Sequence, residues 1–502
     1  MVLAACVLLA FWWIMRRTVP EHAVRIPANA PLVLTLNLRA LGLDILLGGS
    51  VEDTVKHKEE PAREDDDLKK AIEQNGGHGL SWRKDVLCFV QADSSQPQYF
   101  AAVIVLSDAE TFGGLASGYL AKRFGSAVKK DGALQTLYAD SLGLLLGWNE
   151  NELLLLKKLQ GDSAFLHGEL KKLFAQTGAN SLLSNADFRA HQLEDFDAAL
   201  WVNMKQGRVA GRLEKYGWQD QNLASADYLH LLLQFRDGEA RLLQKNISAN
   251  AARKIEYDTE PLLFHKPAQL SASWNGRLPD EKQFAKSPLG HWLQEQSGEA
   301  AKWRSALKGN FSLAVHDTIH YTRTYITFDY DENFEQTQVQ RSVPEMMPGF
   351  TACFPVNDRA QLEILLKAWQ EKDSLQLKNG ALRLPGDLPA YLKLQDSLLV
   401  LGTHPGKQLE LQPRGALAAS KGEAVRAFID MPKLLSAYPA DSLDVRARLQ
   451  LERWQRWSRE LTFSVSLPQG NMLVSEMRLR FAEENVNGLV QLMKILRGTA
   501  LE

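Results

Sequence analysis

The sequence predicts an α+β fold: two homologous lobes of mainly antiparallel sheet with helices on one face, preceded by an N-terminal membrane anchor helix. Three observations predict it: an apolar segment opens the chain, one strand–helix unit occurs twice, and hairpins follow both copies in the same order. This order favours an antiparallel sheet over a parallel, doubly wound one. The predicted segments are the anchor (1–19), lobe 1 (20–258) and lobe 2 (259–502).

The predicted anchor is the apolar run VLAACVLLAFWWIM at residues 2–15, followed by Arg16 and Arg17. A helix of this length spans only ~20 Å of the ~30 Å hydrocarbon core. However, its two tryptophans suit the membrane interface, and the two arginines can reach that interface. We therefore expect an uncleaved signal anchor. A cleaved signal peptide, a lipid attached to Cys6 and a buried N-terminal helix stay open as alternatives.

The repeated unit is FAAVIVLSDAETFGGLASGYL at residues 100–120 and FTACFPVNDRAQLEILLKAWQ at 350–370. Each copy opens with an apolar run of strand length and continues with a polar pair of the kind that caps helices. Ser107 with Glu110 predicts a capping box in the first copy, and Asp358 with Gln361 predicts a looser version in the second.

Apolar residues then follow at the i, i+3, i+4, i+7 spacing of one helix face in both copies. These residues are Phe112, Leu115, Ala116 and Tyr119 in the first copy, and Leu362, Leu365, Leu366 and Trp369 in the second. Strand and hairpin patterns recur around both copies, at 32–36, 134–156, 199–204 and 229–246 and at 270–274, 391–401, 425–431 and 461–481. An internal duplication, with lobes of roughly 230 residues, explains this order.

Composition excludes several functional classes. The 502 residues are 45% hydrophobic and 24% charged, as in ordinary globular proteins. The net charge of −2 leaves no basic excess to neutralise phosphates, so we expect no nucleic-acid partner. Three cysteines are too few for a disulfide framework, and Cys88 and Cys353 are expected to be buried, inert thiols.

Three charged or amphipathic segments do not belong to the repeated unit. The acidic run at 64–67 lacks the spacing of a calcium loop and predicts a solvated loop leading into a helix. Residues 445–461 predict a helix whose arginines surround an apolar face; it covers a sheet or contacts anionic lipid or a partner. That face is Ala447, Leu451, Trp454 and Leu461. A C-terminal helix at 485–497 is expected to pack through Val486, Leu489, Val490, Met493 and Leu496.

The motifs of common enzyme classes are absent from the sequence: the phosphate-binding loop, the dinucleotide fingerprint, the nucleophile elbow, HExxH and CxxC. His316 and His320 lie in a predicted strand at 311–327, where their spacing of ~13 Å is too long to share a metal. We therefore predict no catalytic, cofactor-binding or metal-binding residue and no cofactor. One alternative stays open: Gly161-Asp162-Ser163 and Asp227-x-x-His230 match motifs of GDSL-type hydrolases, with Ser163 as nucleophile and His230 as base.

Three segments, IPANAPLVLTLNLRAL, GLSWRKDVLCFV and FAAVIVLSDAETF, resemble an uncharacterised family of exported bacterial proteins that are often lipid-anchored and are described only as a domain of unknown function. The resemblance implies an envelope location and a duplicated α+β body, and it carries no functional residues.

With the anchor, this resemblance predicts a single-pass protein of the bacterial inner membrane with a periplasmic body, although the Arg16-Arg17 pair by itself favours a cytoplasmic body. The expected function is non-enzymatic binding or scaffolding of an envelope protein partner, with membrane contact through the N-terminal segment. A hydrolase and a carrier with an apolar pocket are the alternatives.

Overall fold

The structure is a computed structural model. It describes residues 17–47, 63–92, 97–159, 163–205, 226–248, 269–274, 281–286, 288–330, 336–373, 377–378, 380–384, 389–403, 423–436, 443–466 and 470–497. The chain forms two compact units: the first comprises 1–252, 470–472 and 484–493, and the second comprises 253–469, 473–483 and 494–502. The predicted lobe boundary at 258–259 and the predicted anchor residues 1–16 lie outside the described residues.

Ten described strands of the first unit form one antiparallel sheet. They are β1 (Leu32–Leu36), β2 (Val86–Ala92), β3 (Pro97–Val105), β4 (Lys129–Asp131), β5 (Leu134–Ala139), β6 (Leu144–Trp148), β7 (Glu152–Lys158), β8 (Ala198–Asn203), β9 (Tyr228–Arg236) and β10 (Glu239–Ile247). Their order across the sheet is β4-β5-β6-β7-β3-β2-β1-β8-β9-β10. The largest core cluster packs sheet residues such as Phe89 and Leu154 against helical residues such as Leu166 and Leu170.

Six α-helices are described that lie wholly in the first unit. They are α1 (Leu38–Leu47), α2 (Arg63–Gln74), α3 (Ala109–Leu115), α4 (Ala121–Phe124), α5 (Ser163–Ala175) and α6 (Ala186–Gln192). A π-helical turn, Ala116–Leu120, joins α3 to α4. The acidic residues 64–67 lie within α2, so the expected loop at this place is wrong.

The second unit repeats the strand order of the first. Its strands are β11 (Leu270–Trp274), β12 (Phe311–Tyr330), β13 (Gln336–Pro355), β14 (Leu377–Lys378), β15 (Ala381–Arg383), β16 (Tyr391–Gln395), β17 (Leu398–Gly402), β18 (Glu423–Asp430), β19 (Ser458–Ser466) and β20 (Met472–Phe481). They pair in the antiparallel order β14-β15-β16-β17-β13-β12-β11-β18-β19-β20. The predicted α+β class with a large antiparallel sheet is confirmed.

The remaining helices are α7 (Glu281–Lys286), α8 (Pro288–Ser297), α9 (Ala300–Ala306), α10 (Arg359–Asp373), α11 (Met431–Ser436), α12 (Val445–Trp457) and α13 (Gly488–Arg497). In the core of the second unit, Trp369 of α10 meets Trp303 of α9 edge to face, with ring centroids 5.8 Å apart. Among the described residues, none of these helices has the length and apolarity needed to cross a membrane.

The repeated strand–helix unit forms in both units, but its capping differs from the prediction in the first. Asp108, not Ser107, caps α3, because its side chain accepts from the backbone N–H groups of Glu110 and Thr111. The hydroxyl of Ser107 instead donates to the carbonyl of Leu80, at 3.2 Å. In the second unit, Asp358 accepts from the N–H of Gln361 at 2.9 Å.

Most residues of the predicted helix faces of the repeat lie in the core, whereas Tyr119 and Leu366 are half-buried. Phe112, Leu115, Ala116, Leu362, Leu365 and Trp369 are buried. One close approach requires a glycine here: Gly79 has φ +72°, and a Cβ at this residue would lie 2.3 Å from the carbonyl oxygen of Asp108. That carbonyl belongs to the residue that caps α3, so the glycine lets the preceding loop reach the helix start.

Two predicted helix faces are partly wrong. Helix α12 ends at Trp457, and Leu461 lies in β19, where it pairs with β18 and β20. In α13 the buried positions are Gly488, Gln491 and Ile495, together with Asn487 just before the helix, whereas Leu496 is 49% exposed. The amide of Gln491 donates to the carbonyl of Val486 at 2.8 Å, and this bond allows a polar side chain to occupy the buried face.

Candidate functional site

The longest strands of the second unit extend beyond its sheet as a hairpin. Strand β11 pairs with β12 only at 311–315, and β17 pairs with β13 only at 351–355. Residues 318–330 and 336–348 pair with each other, after a register shift between Val315 and Thr318. We call these two segments the arm. At ~3.4 Å per residue, its 13 residue pairs extend for ~40 Å.

No arm residue whose side chain is described belongs to the core. Every arm residue whose burial is described is exposed or half-buried. Threonine, tyrosine, isoleucine and phenylalanine are frequent in its first strand, and these residue types favour extended backbone. A two-stranded hairpin has little stability of its own in water. The arm therefore has no packing role among the described residues.

One face of the arm carries no aspartate, glutamate, lysine or arginine. Because directly paired residues share a face, the register of Ile326 with Gln340 assigns the even-numbered residues to it. The described members are Thr318, His320, Thr322, Thr324, Ile326, Phe328, Gln336, Gln338, Gln340, Ser342, Pro344, Met346 and Pro348. Ile326 is 65% exposed, Phe328 57% and Met346 65%. We call this the uncharged face.

The opposite face holds the charges of the described arm. Arg341 pairs with Asp329 at 2.9 Å, and Arg323 pairs with Glu345 at 3.6 Å. The hydroxyl of Tyr321 also donates to Glu345, at 2.6 Å. Two arginines thus balance two carboxylates. Exposed pairs of this kind contribute little to stability, but they keep this face solvated.

A second unusual group lies inside the first unit. Asp187 and His191 come from α6, Trp201 from β8 and His230 from β9; we call them the histidine cluster. One oxygen of Asp187 accepts from the indole N–H of Trp201 and from Nε2 of His230, each at 2.9 Å. The His191 and His230 rings lie 4.5 Å apart, and His191 stacks on Phe196 with an interplanar angle of 19°.

Burial sets the electrostatics of this cluster. Burial would raise the pKa of Asp187, but the hydrogen bonds and the charge around it outweigh that effect and lower it. The pKa of His191 lies well below its usual value because the ring is buried, and because His230, Lys245 and Arg17 are nearby. Both nitrogens of His191 and Nδ1 of His230 have no hydrogen-bond partner. Among the described residues, no group of three or more candidate ligands could hold a metal ion.

The two residues of the hydrolase hypothesis lie on different elements. Ser163 starts α5, and its carbonyl oxygen is 2.8 Å from Nδ1 of His167. His230 bonds to Asp187, whereas Asp227, the acid of the sequence motif, pairs with Lys205 at 3.8 Å. Among the described hydrogen bonds, none joins Ser163 to His230. The carboxylate next to His230 thus comes from a residue that the motif did not include.

Arg17 belongs to the body of the first unit. Its guanidinium donates to Asp85 at 2.8 Å and to the carbonyl of Phe196 at 3.1 Å, and it lies 3.6 Å from the centroid of the Phe196 ring. Burial lowers the pKa of Arg17, against the attraction of Asp85. The side chain is 14% exposed. The expectation that Arg17 reaches the membrane interface is therefore wrong.

The basic helix α12 begins after Asp444, which accepts from the N–H of Ala447 at 2.7 Å. None of its residues is buried. Trp457, at its end, contacts two cations, since Arg456 lies 5.4 Å and Lys494 4.8 Å from the ring centroid. The tryptophan thus contributes to cation–π contacts within the second unit.

The predictions for the two cysteines and for His316 and His320 can be compared directly with the structure. Cys353 is buried and Cys88 is half-buried. Burial raises the pKa of both thiols, that of Cys353 to about 12, so both stay protonated and unreactive near neutral pH. His316 and His320 lie on β12, and the predicted strand is confirmed.

Sequence reasoning did not single out the arm or His191. The absence of charge at alternate positions from 318 to 328 is visible in the sequence and could have pointed to the uncharged face. No local signal marks His191, whose neighbours come from distant strands.

Comparisons with known proteins add little. The sequence matches no family model and no curated protein. Crystal form I of TP0453 is similar, with a TM-score of 0.28 and 13% identity over 46% of this chain and 80% of that one. Crystal form IV of TP0453 gives the same TM-score and identity over 48% and 88%. A likeness this weak carries no argument about function.

Proposed function

We propose that this is an envelope protein of the bacterial inner membrane, anchored through its N-terminal segment, which binds a protein partner through the arm and performs no catalysis. The body is proposed to face the periplasm. The observation that carries the binding role is the uncharged face, where Ile326, Phe328 and Met346 are more than half exposed. Ile326 and Phe328 are neighbours on this face, and Met346 lies opposite His320, ~20 Å further along the arm. Solvated surfaces usually intersperse charges with exposed apolar residues, so an uncharged face that exposes three of them is typical of an interaction site.

The binding role predicts that contacts in cells are specific to one face of the arm. A photoreactive amino acid at Gln340, on the uncharged face, is expected to form protein adducts, because a bound partner covers that face. The same amino acid at Val339, the next residue and on the charged face, is the matched control. Gel shifts of the full-length chain after irradiation measure both. Equal adducts at both positions, or none at either, would contradict the proposal.

The proposed location predicts digestion of the body by protease in intact spheroplasts. A periplasmic body is accessible, whereas a cytoplasmic body is protected by the inner membrane. Immunoblotting of the chain provides the measurement, with a soluble cytoplasmic protein as the control for sealed cells. Protection of the body while that control is intact would place the body in the cytoplasm, as the Arg16-Arg17 pair favours.

We further propose that the two units are homologous lobes that arose by internal duplication. Their identical order of ten strands supports this. Equivalent backbone bonds also follow the third strand of each unit: Leu106 donates to Asn151 and Val356 donates to Ser397, both at 2.8 Å. The arm is an extension of the second copy, because its counterparts β2 and β3 have only seven and nine residues.

A further inference from the structure

We propose that the arm pairs edge to edge, through β12, with a second copy of this chain. The two arms then form a four-stranded antiparallel sheet around a two-fold axis. This inference rests on the proposed function, since it uses the same binding element, but it concerns the β12 edge of the arm: the paired copies leave the uncharged face open to the protein partner proposed above. The argument uses the two edges of the arm, its charges and its pairing register.

The β13 edge of the arm is blocked. Pro344 and Pro348 lie opposite Thr322 and Thr318. Proline has no N–H to donate, and within sheets it is confined to positions that face away from a neighbouring strand. The outer edge of β13 therefore lacks two of the donors that an added strand would need.

The β12 edge of the arm is open. Residues 318–330 contain no proline. Beyond Val315, no described strand other than β13 pairs with β12. An unpaired edge of this kind presents a row of N–H and C=O groups that can accept another strand.

Successive residues of a strand point their backbone N–H and C=O groups to opposite edges. This alternation identifies the β12 residues whose groups lie on the open edge. Because Pro344 and Pro348 cannot donate to β12, their pairs with Thr322 and Thr318 are non-hydrogen-bonded, and the backbone groups of both threonines point outward. Ile326 lies an even number of residues further on, so its N–H and C=O also point to the open edge. These groups can be exchanged with those of Ile326 in a second copy.

The charges of β12 favour a copy of itself over an arbitrary strand. Within 318–330 the charged residues are Arg323 and Asp329, each three residues from Ile326. With Ile326 on the two-fold axis, antiparallel pairing sets Arg323 of each copy opposite Asp329 of the other. Opposite charges in directly opposed positions stabilise a sheet, and like charges destabilise it. The same pairing extends the uncharged face, because Phe328 then lies beside Thr324 of the other copy.

Cysteine cross-linking of the full-length chain tests this geometry. In the paired arms the two Ile326 Cα atoms lie ~5.5 Å apart, within the ~4.4–6.8 Å range of a disulfide. Ile326→Cys is expected to form a covalent dimer under mild oxidation. Gln340→Cys is the matched control, because Gln340 lies directly opposite Ile326 on the same face but on the blocked strand. The unsubstituted chain reports any bridge through native cysteines. Equal dimer yields from the two variants would overturn the proposal.

Exchanging the charges of the arm tests the register in which two copies pair, and it distinguishes a lost pairing from a misfolded chain. Arg323→Asp and Asp329→Arg are each expected to weaken dimerisation about tenfold in analytical ultracentrifugation, because like charges then face each other twice. The fourfold variant, which adds Arg341→Asp and Glu345→Arg, restores opposite charges both between the copies and within each arm, and is expected to dimerise like the unsubstituted chain.

A chain that stays monomeric, or a dimer insensitive to these substitutions, would overturn the inference. Because edge pairing leaves Gln340 uncovered on the outer strand, adducts at Gln340 test the proposed function alone, and cross-linking at Ile326 tests the pairing of two copies.

Discussion

Replacing Asp187 with alanine is expected to lower the free energy of unfolding of the first unit by about 4 kcal/mol, because two buried donors lose their acceptor at once. The indole N–H of Trp201 and Nε2 of His230 both bond to one oxygen of Asp187. Trp201 is completely buried and His230 is 3% exposed, whereas the Asp187 side chain is 20% exposed, so water that enters the vacated space offsets only part of the loss.

Urea denaturation, with hydrogen exchange measured in peptides from β8 and β9, is the appropriate measurement, because it localises the loss to the first unit. Asp187→Asn keeps one acceptor oxygen and is expected to lose less stability than Asp187→Ala. Asp195→Ala is the control, since this carboxylate is 74% exposed and pairs with Arg236 on the surface. Its removal is expected to cost under ~1 kcal/mol. Equal losses for Asp187→Ala and Asp195→Ala would show that the histidine cluster does not depend on Asp187.

Replacing His191 with phenylalanine is expected to stabilise the first unit and to make its stability less sensitive to acid. In the unfolded chain histidine takes up a proton near pH 6.5, whereas the pKa of folded His191 lies well below that value because the ring is buried. Below pH 6.5 the unfolded state therefore binds one more proton, and the free energy of unfolding falls by ~1.4 kcal/mol per pH unit for this residue.

His22 acts in the same direction. Burial lowers the pKa of His22 to about 4, although its ring bonds to the carbonyl of Asp85 at 2.9 Å. Its contribution to acid sensitivity thus extends from pH 6.5 down to about 4. Asp85 and Asp197 act in the opposite direction, because burial raises the pKa of both carboxyls and the folded state takes up their protons first. Comparing variants at each pH removes this common contribution.

Urea midpoints between about pH 5 and 8 check the prediction. His191→Phe and His22→Phe are each expected to reduce the slope of stability against pH, and the double variant is expected to reduce it further. His191→Phe should also gain stability above pH 6.5, since it removes two ring nitrogens that have no hydrogen-bond partner and keeps the stacking on Phe196. Identical slopes for His191→Phe and the unsubstituted chain would show that His191 is not held neutral by burial.

Local patterns were enough to predict most strands and the repeated strand–helix unit. The spacing of Leu362, Leu365 and Trp369 depends only on helix geometry, so their shared buried face was predictable. Alternation and turn residues likewise predicted the hairpin of β16 and β17. Competition between neighbouring groups was harder to predict: Ser107 and Asp108 can both cap a helix, and the bond of Ser107 to Leu80 decides between them.

The candidate sites depended on partners that are distant in sequence. His191 and His230 are separated by 39 positions, and only the packing of α6 against the sheet brings their rings to 4.5 Å. The uncharged face also needs a second strand, since the pairing of Ile326 with Gln340 decides which residues join it. The sequence by itself determined the class of fold and the repeated order of its elements, because helix and strand periods are local properties of the chain. Only the tertiary structure decided which side chains meet and which stay exposed, because burial and register are set by the strands and helices that pack alongside.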